Sequence, residues 1–255
     1  MQILAIANQK GGVSKTTTAA ALGYNLARRF KVLLLDCDPQ ASLTQGLGVV
    51  PAAGASLAEV IGGASRGTMP LKKILQPITN NLDLAPSDIT LANSELGLTQ
   101  RMGRENVIKQ ALATVQGYDI CIIDCPPSLG LLTVNALVAA RGVIVPTIPA
   151  AADLRGVKMF LDTLESIKEL NPALALLGVL VVQFDARLLA HNEAVETITA
   201  AGLRILGTIP RSVRVQEASA AKQSITSYDP GSKPAAAYAE FTNEVIQWLK
   251  AANPA

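Results

Sequence analysis

The chain has 255 residues, 49% of them hydrophobic and 16% charged, with a net charge of +2. That length suffices for one large α/β domain, and the near-balanced charge gives no sign of a strong polyanion partner. Mean hydropathy is +0.32, yet no apolar run approaches the roughly 18–20 residues that a membrane-spanning helix needs.

In chain order, QILAIA (2–7) reads as a strand and 16–29 as a helix. KVLLLD (31–36) is the next strand. The Gly/Ala/Ser-rich stretch 50–70 reads as a surface excursion with a short helix. LDLA (82–85) is a strand, 104–116 a helix, and YDICIID (118–124) a strand. Then come helix 130–140, strand 142–148, helix 154–170 and strand 175–183. Helix 190–200, strand 204–209 and a final helix 235–250 complete the chain. In that last helix Tyr238, Phe241, Val245, Ile246 and Leu249 recur at helical spacing. Several strands are apolar almost throughout, which suits a mostly parallel sheet buried on both faces. The β-α-β order with right-handed crossovers predicts one α/β domain, 1–255, with helices on both sides of the sheet.

The N-terminus lacks a basic leader and a cleavage site, so the cytoplasm is expected. Cys37, Cys121 and Cys125 form no C-x-x-C pair and are expected reduced, in or beside core strands. The only histidine, His191, sits at a helix start and is expected to be solvated.

The stretch NQKGGVSKTTTAAA (8–21) follows the first strand and opens the first helix. Such a loop aims successive backbone N–H groups and a helix N-terminus into one concavity, which suits phosphate. Gly11 and Gly12 allow backbone angles and close approach that a Cβ would obstruct. Lys15 can reach the β- and γ-phosphates, and Thr16 can place its hydroxyl on Mg²⁺. The common pattern G-x-x-x-x-G-K-[ST] fails, because Gln9 and Ser14 occupy its glycine positions. KGGVSKT instead fits a deviant Walker A loop with two lysines, Lys10 and Lys15. Ser14 adds a Cβ where the loop is tight, and a positive φ there would strain it.

Two further strands end in carboxylates: Asp36 and Asp38 in LLLDCDP, and Asp124 in ICIIDCPP. Carboxylates at the C-terminal ends of adjacent parallel strands converge on the ligand crevice. The alternative for Asp36 and Asp38 is a turn-capping role, since Asp-Pro commonly opens turns.

These motifs resemble the ParA/Soj-type ATPases, the DNA-segregation branch of the ParA/MinD group of P-loop NTPases. The resemblance runs through LLLDCDPQASLTQGLG, YDICIIDCPPSLGLLTVNAL, VVQFDAR, GTIPRSVRVQEASAAKQSI and SYDPGSKPAAAYAEFTNEV, nearly the whole chain. It implies an ATP- and Mg²⁺-dependent ATPase that sandwiches two ATP molecules in a homodimer. Lys10 then reaches across to the partner's nucleotide. Gly11, Gly12, Val13, Ser14 and Lys15 line the phosphates, and Thr17 contacts the α-phosphate. Thr16 ligates Mg²⁺, with Asp36 and Asp124 supporting it through water. Asp38 positions the attacking water, and Pro210 and Arg211 lie beside the adenine.

The resemblance also implies non-specific binding of double-stranded DNA by the ATP dimer, stimulation by a ParB-type partner, and a nucleoid-associated location. Residues 204–233 hold five basic and two acidic residues, a local +3. Arg155, Arg187, Arg214, Lys222 and Lys233 are the candidate contacts. Few aromatics are available for base stacking, so phosphate contact is the expected mode. No helix-turn-helix region precedes the loop, which disfavours the longer plasmid type. The family's short N-terminal extension is also missing, leaving open how a partner would act. A MinD-like membrane cycle would need a basic amphipathic C-terminal helix, and the end of the chain reads as core packing. An iron–sulfur relative would need a cysteine that is missing after IDCPPS. A non-DNA cargo stays open.

Overall fold

Strands that are apolar at every position must be covered on both sides, and the computed structural model shows how. It describes residues 1–62, 65 and 67–251, with Ala151–Leu154 described by backbone alone. The strands are β1 (Gln2–Ile6), β2 (Val32–Asp36), β3 (Gln76–Thr79), β4 (Leu82–Ala85), β5 (Ile120–Asp124), β6 (Gly142–Thr147), β7 (Ala175–Phe184) and β8 (Ile205–Pro210). They form one sheet in the order β3-β4-β2-β5-β1-β6-β7-β8. Every pairing is parallel except the antiparallel edge pair β3–β4.

The helices are α1 (Lys15–Leu26), α2 (Ser42–Gly46), α3 (Leu57–Ile61), α4 (Leu91–Leu98), α5 (Val107–Ala113) and α6 (Leu131–Ala139). After them come α7 (Ala151–Ile167), α8 (Leu189–Ala200), α9 (Val213–Ala220), α10 (Ile225–Tyr228) and α11 (Lys233–Ala251). All seven expected strands and all six expected helices appear, with ends shifted by a few residues. Strand β3 and helices α2, α4, α9 and α10 were not expected. The short helix expected within 50–70 is α3. Its cap is a reciprocal pair, with Ser56 Oγ accepting from Ala58 N–H and Glu59 accepting from Ser56 N–H.

The period-2 alternation of a strand divides the core in two. In β2, Leu33 and Leu35 join residues of α3 to α8, whereas Val32 and Leu34 join α1, α2 and α9 to α11. The same parity sends Ile120 and Ile122 of β5 to the α1 side and Cys121 and Ile123 to the other. Continuing it, Asp36 and Asp124 project on the α1 side, beneath the phosphate loop. Cys37 and Cys125 project on the opposite side. All three cysteines are free and buried. Burial raises each thiol above its usual range.

The apolar stripe of α11 is buried on this sheet through Tyr238, Phe241, Val245, Ile246 and Leu249. It is core rather than a free amphipathic face. Among the described residues no helix is long and apolar enough to cross a membrane. His191 accepts a hydrogen bond from Asp185 N–H at 3.0 Å, so it caps its own loop.

One buried polar side chain fastens α5 to α6. Asn135, fully buried, accepts from Val107 and Ile108 N–H at 2.8 and 3.2 Å. It donates to the carbonyls of Arg104 and Leu131 at 2.7 and 2.9 Å. Replacing it strands the two buried N–H groups of Val107 and Ile108 and removes a donor from two part-buried carbonyls. Asn135→Ala is expected to lower unfolding free energy by about 2–4 kcal/mol. Urea titration should show the midpoint falling with the slope unchanged.

Candidate nucleotide site

The site lies where β1 ends, the point at which the chain's crossovers switch from one side of the sheet to the other. Asn8 fixes the start of the loop. Its amide donates to Pro146 O at 2.8 Å, at the end of β6, and its Oδ1 accepts from Lys10 N–H at 3.0 Å. Gly12 then takes φ +75° and Ser14 φ +58°, both left-handed. A Cβ in that region costs about 1–2 kcal/mol, so Ser14 carries the strain expected of it. This twist sets the N-terminus of α1, whose first helical bond runs from Thr18 N–H to Ser14 O at 2.9 Å. Among the described residues, the N–H groups of Gly11 through Thr17 find no acceptor within the chain. Seven donors and a helix N-terminus therefore open onto one concavity, which suits an anion.

Lys15 is 7% exposed, and its Nζ donates to Lys10 O at 2.8 Å. Burial lowers its pKa, while the nearby Asp124 pulls in the other direction. Lys10 itself is exposed at the rim.

Asp36 and Asp124 stand opposite each other in the β2–β5 register, both fully buried. Asp36 is well supplied with donors: Thr44 N–H and Oγ1 at 2.9 and 2.7 Å, and Asp38 N–H at 3.2 Å. Burial nevertheless pushes its pKa up to about 6. Both oxygens of Asp124 lack a hydrogen-bond partner. Burial, and then the charge of Asp36, raise its pKa well above the carboxylate range. A buried carboxylate whose oxygens find no well-formed hydrogen bond is costly unless a cation satisfies it.

Among the described residues no group of three or more His, Cys, Asp and Glu is placed to hold an ion alone. That donor set fits Mg²⁺, which takes one or two carboxylates and completes its shell with water and phosphate oxygens. Thr16 lies close enough to Asp124 to oppose the rise in its pKa.

Asp38 is 9% exposed and its Oδ1 accepts from Gln40 N–H at 2.9 Å. Ser87 holds its carbonyl at 2.8 Å and also donates its N–H to Thr44 Oγ1 at 3.0 Å. The turn-capping alternative for Asp36 and Asp38 is therefore real geometry, and it coexists with their place at the cleft.

Above these groups lies an open cleft of ≈ 860 Å³, large enough for a nucleotide. Gly11 through Thr17, Asp38, Pro210 and Arg211 all line it. Sequence reasoning missed Thr44, Ser87 and Gln183, which hold Asp36, Asp38 and the loop respectively. Tyr238 of α11 also reaches the cleft, with its hydroxyl 3.2 Å from Thr18 Oγ1.

The five DNA candidates do not share one layer. Arg155 is on α7, on one side of the sheet, whereas Arg214, Lys222 and Lys233 belong to the α9–α11 side. Arg187, 88% exposed, makes a two-pronged pair with Asp185 at 2.9 and 2.7 Å. Arg214 pairs with Glu217 at 2.9 Å and Asp229 at 3.5 Å. Arg204 pairs with Glu244, outside the 204–233 window, so that window is less positive than its own count suggests.

Comparison with known proteins agrees with this geometry. The AAA domain family matches residues 1–176. The sporulation initiation inhibitor protein Soj of Bacillus subtilis is 40% identical over 250 residues, covering 96% of this chain and 98% of that one. The chromosome-partitioning ATPase Soj of Thermus thermophilus is 40% identical, covering 95% and 94%. The crystal structure of cobyrinic acid a,c-diamide synthase from Mycobacterium smegmatis superposes with TM-score 0.86 at 38% identity, covering 99% of this chain and 96% of that one. It holds ADP and magnesium, and the same protein has been solved with an ATP analogue and magnesium. With its two-lysine loop, its buried carboxylate pair and relatives at this level of identity, the chain belongs to the ParA/Soj family of P-loop ATPases.

Proposed function

We propose that the protein, acting as one domain over 1–255, is a DNA-partitioning ATPase that pairs with a second copy when ATP is bound. The observation that carries the nucleotide part is the orphaned Asp124 carboxylate beneath seven open N–H groups. Opposite charges are wanted at these two places, and a magnesium–triphosphate supplies both.

In this reading the N–H groups of Gly11 to Thr17 receive phosphate oxygens, and Lys15 leaves the Lys10 carbonyl for the β- and γ-phosphates. Thr16 and Asp124, with Asp36 behind them, would hold Mg²⁺, which when bound offsets charge on the phosphates. Asp38, fixed by Gln40 and Ser87, orients the attacking water. Phosphoryl transfer depends mainly on positioning and charge neutralisation, so no histidine base is required. Pro210 and Arg211 flank the base. Lys10, exposed at the rim, would reach a second protomer's nucleotide, so that pairing reports whether the γ-phosphate is present.

DNA is then held through phosphates, without sequence preference, by Arg187, Arg214, Lys222, Lys233 and Arg155. A ParB-type partner stimulates hydrolysis and release, which places the protein on the nucleoid in the cytoplasm. Because Arg187 and Arg214 already have carboxylate partners, DNA must compete for them, and affinity should be modest and salt-sensitive. The logarithm of the binding constant is expected to fall with log salt by about 0.9 per neutralised phosphate. Arg214→Ala should reduce that slope by about one. Fluorescence anisotropy of a labelled duplex with ATP, at several salt concentrations, measures both. A flat salt response would refute the DNA reading. Phosphate release stimulated by DNA and partner, with no carboxylate acceptor present, separates this reading from the synthase named for the Mycobacterium smegmatis protein.

A further inference from the structure

Gln183 is the residue before the last in β7, and it breaks the alternation of that strand. Val179 and Val181 face the α3–α8 side, and Leu180 and Val182 face the α1 side. Strict alternation would send Gln183 to the α3–α8 side and Phe184 to the α1 side. Phe184 instead packs on the α3–α8 side, and the β7–β8 register slips between Val181 and Phe184. Gln183 is the inserted residue, with φ +54°, a left-handed angle rare for a side chain of this size. Bulges of this kind re-aim a side chain at a strand end.

Here the side chain is aimed at the phosphate loop. Gln183 Nε2 donates to Gly12 O at 3.0 Å, across 171 residues of sequence. Both residues line the same cleft. A trans peptide is planar and points its C=O and N–H in opposite directions. Holding the Gly12 carbonyl therefore fixes the direction of the Val13 N–H, one of the loop donors without an acceptor. Gly12 has no Cβ, and a Cβ built there would meet nothing within 4 Å. The buried Val13 side chain anchors one end of this peptide and Gln183 holds its carbonyl; a rotated peptide would turn that carbonyl toward the phosphates.

We infer that Gln183 is a positioning residue, held in a strained bulge so that its amide sets the Gly12–Val13 peptide to donate to a nucleotide phosphate. The inference rests on the nucleotide-binding reading above and extends it to a residue outside the loop. It makes stability and phosphate affinity move in opposite directions. Gln183→Gly removes the left-handed strain and the donor together, so the empty protein should melt higher while ATP and ADP bind about five- to tenfold more weakly. Gln183→Leu keeps the Cβ but has no donor, and should lose the same affinity without the gain in melting temperature. Gln183→Lys keeps a donor and should retain most of the affinity. Adenosine, which lacks phosphate, should bind the parent and all three variants alike.

The measurements are thermal melts of the empty proteins and titrations of ATP, ADP and adenosine with magnesium. ATP affinity of Gln183→Gly and Gln183→Leu within twofold of the parent would overturn the inference and leave the nucleotide reading standing. Equal loss of adenosine affinity would also overturn it, since that would mark a general collapse of the cleft. A parent that bound no ATP would remove the nucleotide reading itself and this inference with it.

Discussion

Asp124→Asn should leave the empty protein more stable and the loaded enzyme nearly inactive. The wild-type carboxyl group is fully buried with neither oxygen hydrogen-bonded, and Asp36 stands beside it in register. An amide of the same shape is neutral at every pH, whereas the buried carboxyl group must take up a proton or carry a charge that burial resists. Unfolding free energy of the empty form should rise by about 1–3 kcal/mol, or roughly 3–10 °C in melting temperature for a chain of this length.

The pH dependence follows from the same pair. Folding raises both pKa values, Asp36 to about 6 and Asp124 above the ordinary range. Their stabilising protons are fully in place below the unfolded value near 4 and are lost as pH rises through the folded values. The empty wild-type protein should therefore weaken as pH rises from about 4 through 6 and beyond. The Asn variant should weaken less, and magnesium with nucleotide should flatten the wild-type curve. Hydrolysis by the variant should fall about 100-fold or more. Melts at several pH values and phosphate release measure these effects. An Asn variant that is less stable when empty would show that Asp124 is satisfied by the protein rather than by an ion.

Lys10→Ala and Asp38→Asn should separate pairing from hydrolysis. Lys10 contributes its backbone to the loop, through Asn8 and Lys15, so truncating the exposed side chain leaves the phosphate cradle in place. ATP should still bind, whereas ATP-dependent dimers should vanish and turnover fall by about 10³-fold, the scale of a cationic group supplied in trans. Asp38→Asn retains an Oδ1 that can accept from Gln40 N–H, so the turn survives while the carboxylate charge goes. It should dimerise with ATP and stay on DNA, with hydrolysis reduced about 100-fold. Light scattering with and without ATP, and phosphate release, distinguish the two. Wild-type turnover by Asp38→Asn would remove Asp38 from the reaction.

What the sequence revealed tracks how each residue is constrained. Fully buried strands such as β2 and β5 need apolar side chains at every position, so they stand out. β3, QPIT, alternates half-buried with exposed residues at a sheet edge and holds a proline, which leaves little to detect. α4 buries only Leu91 and Leu98, and α9 only Ala218. Neither has an apolar period, and the surrounding chain holds both in place. The loop and the aspartates at strand ends were legible because local spacing places them. Thr44, Ser87 and Gln183 are ordinary residue types: Thr44 acts through a short helix with no apolar period, and Ser87 and Gln183 act only once distant segments meet. Gln183 carries no sign in its neighbours that the backbone turns left-handed there.

The bond from Lys15 Nζ to the Lys10 carbonyl ties the two lysines into one mechanical unit. The inner amine holds the backbone of the outer residue. On the proposed reading, a triphosphate would compete with the Lys10 carbonyl for that amine. Nucleotide capture and the setting of the outer lysine would then share one 2.8 Å contact.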